Sequence, residues 1–143
     1  MSEEYTLEES CMAVVLFRNK ILATRELIYG KEALSLPKGH IEAGESHAAT
    51  AIRECFEETD IVLNEADVAR ELEPYQIQFI DHHSKAVCKI IYPVLFHPDN
   101  CGVPRTKEAR MIDACFMDID EFLAACTYDN VRQIVQQAAN DIN

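Results

Sequence analysis

The sequence predicts a mixed α and β fold in one domain spanning residues 1–143, opened by an acidic N-terminal segment over residues 1–9. Three observations predict it. Apolar strand-like runs stand on both sides of one central amphipathic helix, helical periodicity closes the chain, and 143 residues is a length that buries a real core.

Residues 11–18 (CMAVVLFR) read as a buried strand, and Asn19-Lys20 as a tight turn into a second strand over about 21–28. Leu34-Ser35-Leu36 is a short strand that stops at Pro37. Residues 37–44 read as a loop, because Pro37, Gly39 and Gly44 punctuate them. Ser46 is a good N-cap for a helix running to about Thr59. Ala48, Ala49, Ile52, Cys55, Phe56 and Thr59 give it an apolar stripe, and Glu54, Glu57 and Glu58 are expected to point largely away. Residues 70–80 and 85–96 form a hairpin around Asp81-His82-His83-Ser84. A polar loop covers 98–106, and a strand follows at 111–117. Asp118 is expected to cap a short helix through Cys126, and Asp129 a last helix to about Asn140. Val131, Ile134, Val135 and Ala138 form that helix's apolar stripe.

Composition narrows the function. A net charge of −12 argues against nucleic-acid binding and repels free nucleotides at long range. A phosphorylated ligand must then be received by local positive charge. No apolar run reaches the ~18 residues of a membrane span. The polar start (MSEEYTLEES) argues against a targeting peptide, so the expectation is a cytoplasmic protein. Cys11, Cys55, Cys88, Cys101, Cys115 and Cys126 are scattered without a C-x-x-C pair, which favours free thiols over zinc or disulfides.

The most telling pattern is a set of acids. Glu54, Glu57 and Glu58 stand at i, i+3 and i+4 on the central helix, within about one turn, roughly 5–6 Å of rise. Like charges so placed weaken a helix, and a hard divalent cation turns the repulsion into attraction. Six residues after Gly39 comes Glu45, and eight later Arg53. The stretch Gly39–Ile61 (GHIEAGESHAATAIRECFEETDI) resembles the Nudix box, the signature of hydrolases that cleave nucleoside diphosphates linked to another group. Gly39, Glu45, Arg53, Glu54, Glu57 and Glu58 match fixed positions of it, and Cys55 and Ile61 match apolar ones. Asp60 departs, standing where the family usually has glycine. A left-handed helix terminus there costs Asp roughly 1–2 kcal/mol.

The resemblance implies an α/β/α sandwich with a mixed sheet, a phosphoanhydride hydrolase and a magnesium cofactor, with manganese as a substitute. It implies that Glu57, Glu58 and the Gly39 carbonyl bind metal, and that Glu54 either binds a second metal or activates water. Arg53 and Glu45 resemble the pair that holds the loop and orients Glu54. Lys38 stands where it can hold a phosphate oxygen. The run Leu36-Pro37-Lys38-Gly39-His40 resembles the branch that cleaves dinucleoside polyphosphates. ADP-ribose or nucleotide sugars, oxidised nucleoside triphosphates and a non-catalytic nucleotide sensor are the alternatives. Many small hydrolases of this type pair into homodimers.

Outside the box, Glu108, Asp99 and His97 are candidates for a further acid or base, and His82 and His83 read as turn residues. Tyr75, Phe79, Tyr92 and Phe116 lie on strands, where one could stack on a nucleobase. Lys20, Arg25, Lys85, Lys89, Arg105, Lys107 and Arg110 are unranked candidates for phosphate contacts.

Overall fold

A computed structural model describes residues 5–142. In chain order the elements are β1 (Thr6–Phe17), β2 (Lys20–Ile28), β3 (Lys31–Ser35), β4 (Lys38–His40), α1 (His47–Thr59), β5 (Val68–Glu71), β6 (Tyr75–Ile80), β7 (Ala86–Phe96), β8 (Met111–Asp118), α2 (Ile119–Ala125) and α3 (Asp129–Ile142). A short 3₁₀ turn (Glu65–Asp67) precedes β5.

The centre is a parallel pair, β1 with β7, in register from Thr6↔Val87 to Val15↔Phe96. Parallel strands are buried on both faces and therefore carry continuous apolar runs, as Cys11–Leu16 and Val94–Phe96 do. Each strand of the pair divides its outer edge between two antiparallel partners. β1 pairs with β4 at Ser10–Met12 and with β2 only at Leu16–Phe17. β7 pairs with β6 over Ala86–Ile91 and with β5 beyond Pro93. β2 leaves β1 to pair with β3 and β8. The fork between β4 and β2 opens the sheet beside Pro37, whose carbonyl accepts from the Ala13 amide at 2.9 Å.

Alternation along β1 builds two cores. Met12, Val14 and Leu16 pack with Phe122, Ile134 and Val135 under α2 and α3. Cys11, Ala13 and Val15 pack with Ala51 and Cys55 under α1. The result is the α/β/α sandwich with a mixed sheet.

Several boundaries differ from the expectation. The first turn is Arg18-Asn19, one residue earlier, with φ of 52° and 63°. Positive φ at both central residues suits a two-residue hairpin. Thr6–Glu9 of the acidic segment 1–9 already belong to β1, and residues 1–4 lie outside the described residues. The loop 37–44 contains β4. The strand foreseen over 70–80 breaks at Leu72–Pro74, where the chain passes from β5 to β6 opposite Pro93. Asp118 does not cap α2 through its side chain; it binds Lys20 Nζ at 3.1 Å. The stripe Val131, Ile134, Val135 and Ala138 is buried as expected. All six cysteines are free thiols.

The main correction concerns α1. Its buried residues are Thr50, Ala51, Cys55, Glu58 and Thr59, while Phe56 is 41% exposed. Glu58 stands three residues after Cys55 and turns with it toward the sheet, so it is 1% exposed rather than directed outward.

Candidate active site

α1 begins as foreseen: Ser46 Oγ accepts from the Ala49 amide at 3.1 Å. It ends on Asp60, at φ 65°, whose amide donates to the Phe56 carbonyl at 2.9 Å. Lys107 Nζ lies 2.8 Å from Asp60 Oδ1 and 3.6 Å from the Phe56 ring centroid. The departure from glycine thus has a partner from the loop before β8.

β4 sets the two sides of the site. Strand neighbours face opposite ways. Gly39 faces α1, where a Cβ built on it would fall 2.0 Å from Glu54 Cδ. Only glycine leaves room for the carboxylate against the backbone. Lys38 faces the other way, its ammonium 5.5 Å from the Tyr128 ring centroid. The Lys38 amide donates to Glu58 Oε2 at 3.1 Å.

Arg53 is the hub. Its Nε and Nη2 donate to the two oxygens of Glu45 at 2.7 and 2.9 Å, a bidentate fork. Nη2 also donates to the His40 carbonyl at 2.8 Å, and Nη1 donates to Glu54 Oε1 at 2.7 Å and Glu57 Oε2 at 3.2 Å. Glu45 further accepts from Thr50 Oγ1 at 2.9 Å and the Glu42 amide at 3.0 Å. One guanidinium therefore ties the glycine loop to the helix and fixes two of its acids. The Arg53 hydrogen bonds hold the Glu45 carboxyl down at about 2, with help from the Glu42 amide and Thr50. Arg53 is pushed above its ordinary range, chiefly by its hydrogen bond to Glu45.

Glu58 has the opposite environment. Burial first, and the adjacent Glu54 carboxylate second, push its carboxyl well above the ordinary range. Its nearest guanidinium nitrogen, Arg110 Nη2, is 4.0 Å away. Arg110 is engaged elsewhere, with Glu26 Oε2 at 2.7 Å and Glu108 Oε2 at 3.0 Å.

Among the described residues, no three carboxylate, thiol or imidazole groups already surround one point. The donors nonetheless fit a hard cation. Glu54, Glu57, Glu58 and the Gly39 backbone are all oxygen donors on adjoining elements, and Glu58, unlike Glu54 beside it, has a guanidinium no closer than 4.0 Å.

Beside these acids lies a cavity of about 630 Å³, walled by Tyr29, Phe79 and Tyr128 and carrying Lys38, Lys89 and Arg110. A depression of the same volume by Asn19, Asp118 and Gln136 holds no box residue.

The structure brings Glu45, Arg53, Glu54, Glu57, Glu58, Gly39 and Lys38 together. Glu108 does not open β8, which starts at Met111; it is joined to the site through Arg110. His97 and Asp99 are exposed and bond to no box residue. His82 and His83 sit in an exposed turn closed by Asp81. Tyr92 binds Glu9 at 2.6 Å and stacks on His47, and Phe116 packs on Phe17. Tyr75 lines a small cavity beside Lys38. Of the basic candidates, Lys20, Arg25 and Lys107 pair with Asp118, Asp113 and Asp60, whereas Lys89 and Arg110 reach the large cavity. Lys85 and Arg105 are exposed.

Glu26, Thr50 and Tyr128 also belong to the site, outside the residues that motif and spacing single out. Glu26 left a signal, an acid inside the apolar run of β2. Tyr128 left none, since only the packing of α3 brings it to Lys38.

The sequence profile described as the NUDIX domain matches residues 8–138, nearly the whole chain. The chain belongs to the Nudix family. It carries Glu54, Glu57 and Glu58 on α1 and is a Nudix pyrophosphohydrolase. Among curated proteins none matches it in sequence. Its fold is similar to that of a NUDIX hydrolase from Nitrosomonas europaea, at TM-score 0.65 and 20% identity, over 95% of this chain and 90% of that one. It is also similar to the NUDIX domain of Shewanella oneidensis NrtR, crystallised with ADP ribose, at TM-score 0.72 and 18% identity, over 98% and 91% of the chains. A C. elegans Ap4A hydrolase matches at TM-score 0.64 and 13% identity, over 94% and 97%. At these identities the likeness is one of fold. None of the described helices is long and apolar enough to cross a membrane.

Proposed function

We propose that this Nudix protein hydrolyses a phosphoanhydride bond in a nucleoside diphosphate linked to another group, with Mg²⁺ as its cofactor and Mn²⁺ as a substitute. Dinucleoside polyphosphates are the first substrate class. The observation that carries the reading is Glu58, a buried carboxylate set against Glu54 with only a distant, shared guanidinium beside it. Arg53 answers the charge of Glu54 but not that of Glu58, which ionises beside it readily only when a further cation joins them.

Glu57, Glu58 and the Gly39 carbonyl would hold the cation. When bound, it would neutralise phosphate charge and lower the pKa of a bound water. The chain's own residues do the rest. Arg53 fixes Glu54 and Glu57 and closes the loop through Glu45 and His40, so the acids need little reorganisation. Glu54 accepts the proton of the attacking water. Lys38, desolvated within the large cavity, binds a non-bridging phosphate oxygen. The aromatic walls Tyr128 and Phe79 take a base by stacking.

Support for the substrate class comes from the LPKGH run and the cationic cavity. The ADP ribose bound in the Shewanella structure and the substrate in the name of the C. elegans enzyme make ADP-ribose and dinucleoside tetraphosphate the pair to compare. Six free thiols suit a reducing compartment, and we place the protein in the cytoplasm.

The test is a substrate panel with Mg²⁺ in ¹⁸O-labelled water, followed by phosphorus NMR. Release of a nucleoside phosphate carrying the label supports the reading. Nucleotide binding without turnover across the panel would favour a sensor instead.

A further inference from the structure

We infer that Glu26 and Arg110 form a brace for Glu58: Glu26 fixes the guanidinium, and the guanidinium orients the carboxylate. Both are positioning residues that act through Glu58. The inference rests on the proposed role of Glu58 as a ligand of the cation.

The box itself braces two of its three helix acids. Glu45 anchors Arg53 at 2.7 Å, and Arg53 donates to Glu54 at 2.7 Å and to Glu57 at 3.2 Å. Those bonds stop short of Glu58. Glu58 Oε2 accepts from the Lys38 amide at 3.1 Å, and Oε1 faces Arg110 Nη2 at 4.0 Å. A carboxylate held at one oxygen pivots about it, and a charge facing the second oxygen opposes the rotation.

The fold builds this second brace from distant segments. Leu22, Thr24 and Glu26 alternate onto one face of β2, and Leu22 packs under α1. Glu26 is thereby buried on the side where Glu58 turns inward. A buried carboxylate on a strand destabilises the fold unless it is paired. Its partner is Arg110 Nη1, 2.7 Å from Glu26 Oε2. The Arg110 backbone is fixed beside it, since its carbonyl accepts from the Leu27 amide at 3.0 Å. Next to that contact the β2–β8 ladder pairs Arg25 with Asp113 and Glu26 with Met111, skipping Ile112. A bulge of this kind re-aims side chains. All three guanidinium nitrogens then face a carboxylate: Nη1 Glu26, Nε Glu108 at 3.0 Å, and Nη2 Glu58. An ion pair that served stability alone would need only the first two. Lysine, with one nitrogen, cannot span the three.

The test titrates Mn²⁺ alone into the full chain and follows the free ion by electron paramagnetic resonance. Arg110→Lys keeps the charge and loses the span. It should weaken Mn²⁺ binding about tenfold, the usual weight of a residue that orients a metal ligand. Glu26→Gln should do the same and carries the test if Arg110→Lys does not fold. The double variant should bind no more weakly than either single one. Arg25→Lys, at the neighbouring Asp113 pair, is the control and should bind as wild type. With a dinucleoside polyphosphate, kcat of Arg110→Lys should fall at limiting Mn²⁺ and recover in excess, with KM unchanged there. Wild-type Mn²⁺ affinity in Arg110→Lys and Glu26→Gln, or additive losses, would overturn the brace. So would full Mn²⁺ affinity with a raised KM, which makes Arg110 a substrate contact. Wild type that binds no Mn²⁺ would sink the metal reading and the brace together. Brace-dependent Mn²⁺ binding with no hydrolysis of any substrate would sink the hydrolase reading and leave the brace standing.

Discussion

Gly39 lies so close to Glu54 that a Cβ on it would stand 2.0 Å from Glu54 Cδ and 2.2 Å from Oε2. The loop and the acid on α1 therefore share one volume. Gly39→Ala must push the carboxylate aside. Since the displaced atoms end a side chain, the fold absorbs the change and the chemistry does not. We expect Gly39→Ala to lower kcat by about a hundredfold or more with a Tm change of only a few degrees. Kinetics and thermal denaturation of the same preparation check this.

Arg53 makes a bidentate contact that lysine cannot reproduce. Arg53→Lys should cost about 1–3 kcal/mol of stability and lower kcat through loss of the Glu54 contact. Glu45→Gln weakens the same fork from its other side, so the double variant should be less than additive. A double-mutant cycle in urea measures the coupling.

Two carboxyls give opposite pH dependence. Glu45 titrates low in the fold, so its contribution is complete above its ordinary value near 4.5 and is lost as pH falls toward 2. Glu58 titrates high, so the metal-free fold holds its proton more tightly than the unfolded chain does. Stability then falls as pH rises from about 4.5 through neutrality. Glu58→Gln should abolish that decline, and Glu45→Gln should flatten the acid limb. Urea midpoints from pH 3 to 9 in EDTA separate the two.

Asp60 takes the left-handed position at the end of α1 and meets Lys107 across a partly exposed ion pair. Strain of about 1 kcal/mol or more outweighs an exposed pair, worth 0–1 kcal/mol. Asp60→Gly should therefore raise stability by about 0.5–1 kcal/mol and leave kcat unchanged. A fall in Tm would show that the Lys107 contact dominates.

Spacing made much of this site legible. Gly39, Glu45, Arg53, Glu54 and Glu57 stand where a loop and one helix must bring them together. The N-cap at Ser46 and the left-handed turn at Asp60 followed from local chemistry. Glu58 lies outside the stripe that Ala48, Ala49, Ile52, Cys55, Phe56 and Thr59 draw, which suggests an outward side chain, whereas its position three residues after Cys55 turns it inward. Glu26, Lys89, Arg110 and Tyr128 come from β2, β7, the loop before β8 and the residue preceding α3. Their meeting depends on the fork between β4 and β2, and no local pattern encodes that fork.

The central claim is that the acids of α1 grip a divalent cation against a phosphate chain. Electron paramagnetic resonance of Mn²⁺, titrated with protein and a non-hydrolysable dinucleoside polyphosphate, tests it most directly. Wild type should extinguish the free-ion spectrum at a fixed stoichiometry, and Glu57→Gln and Glu58→Gln should restore most of it. A free-ion spectrum unchanged by wild-type protein would contradict the account.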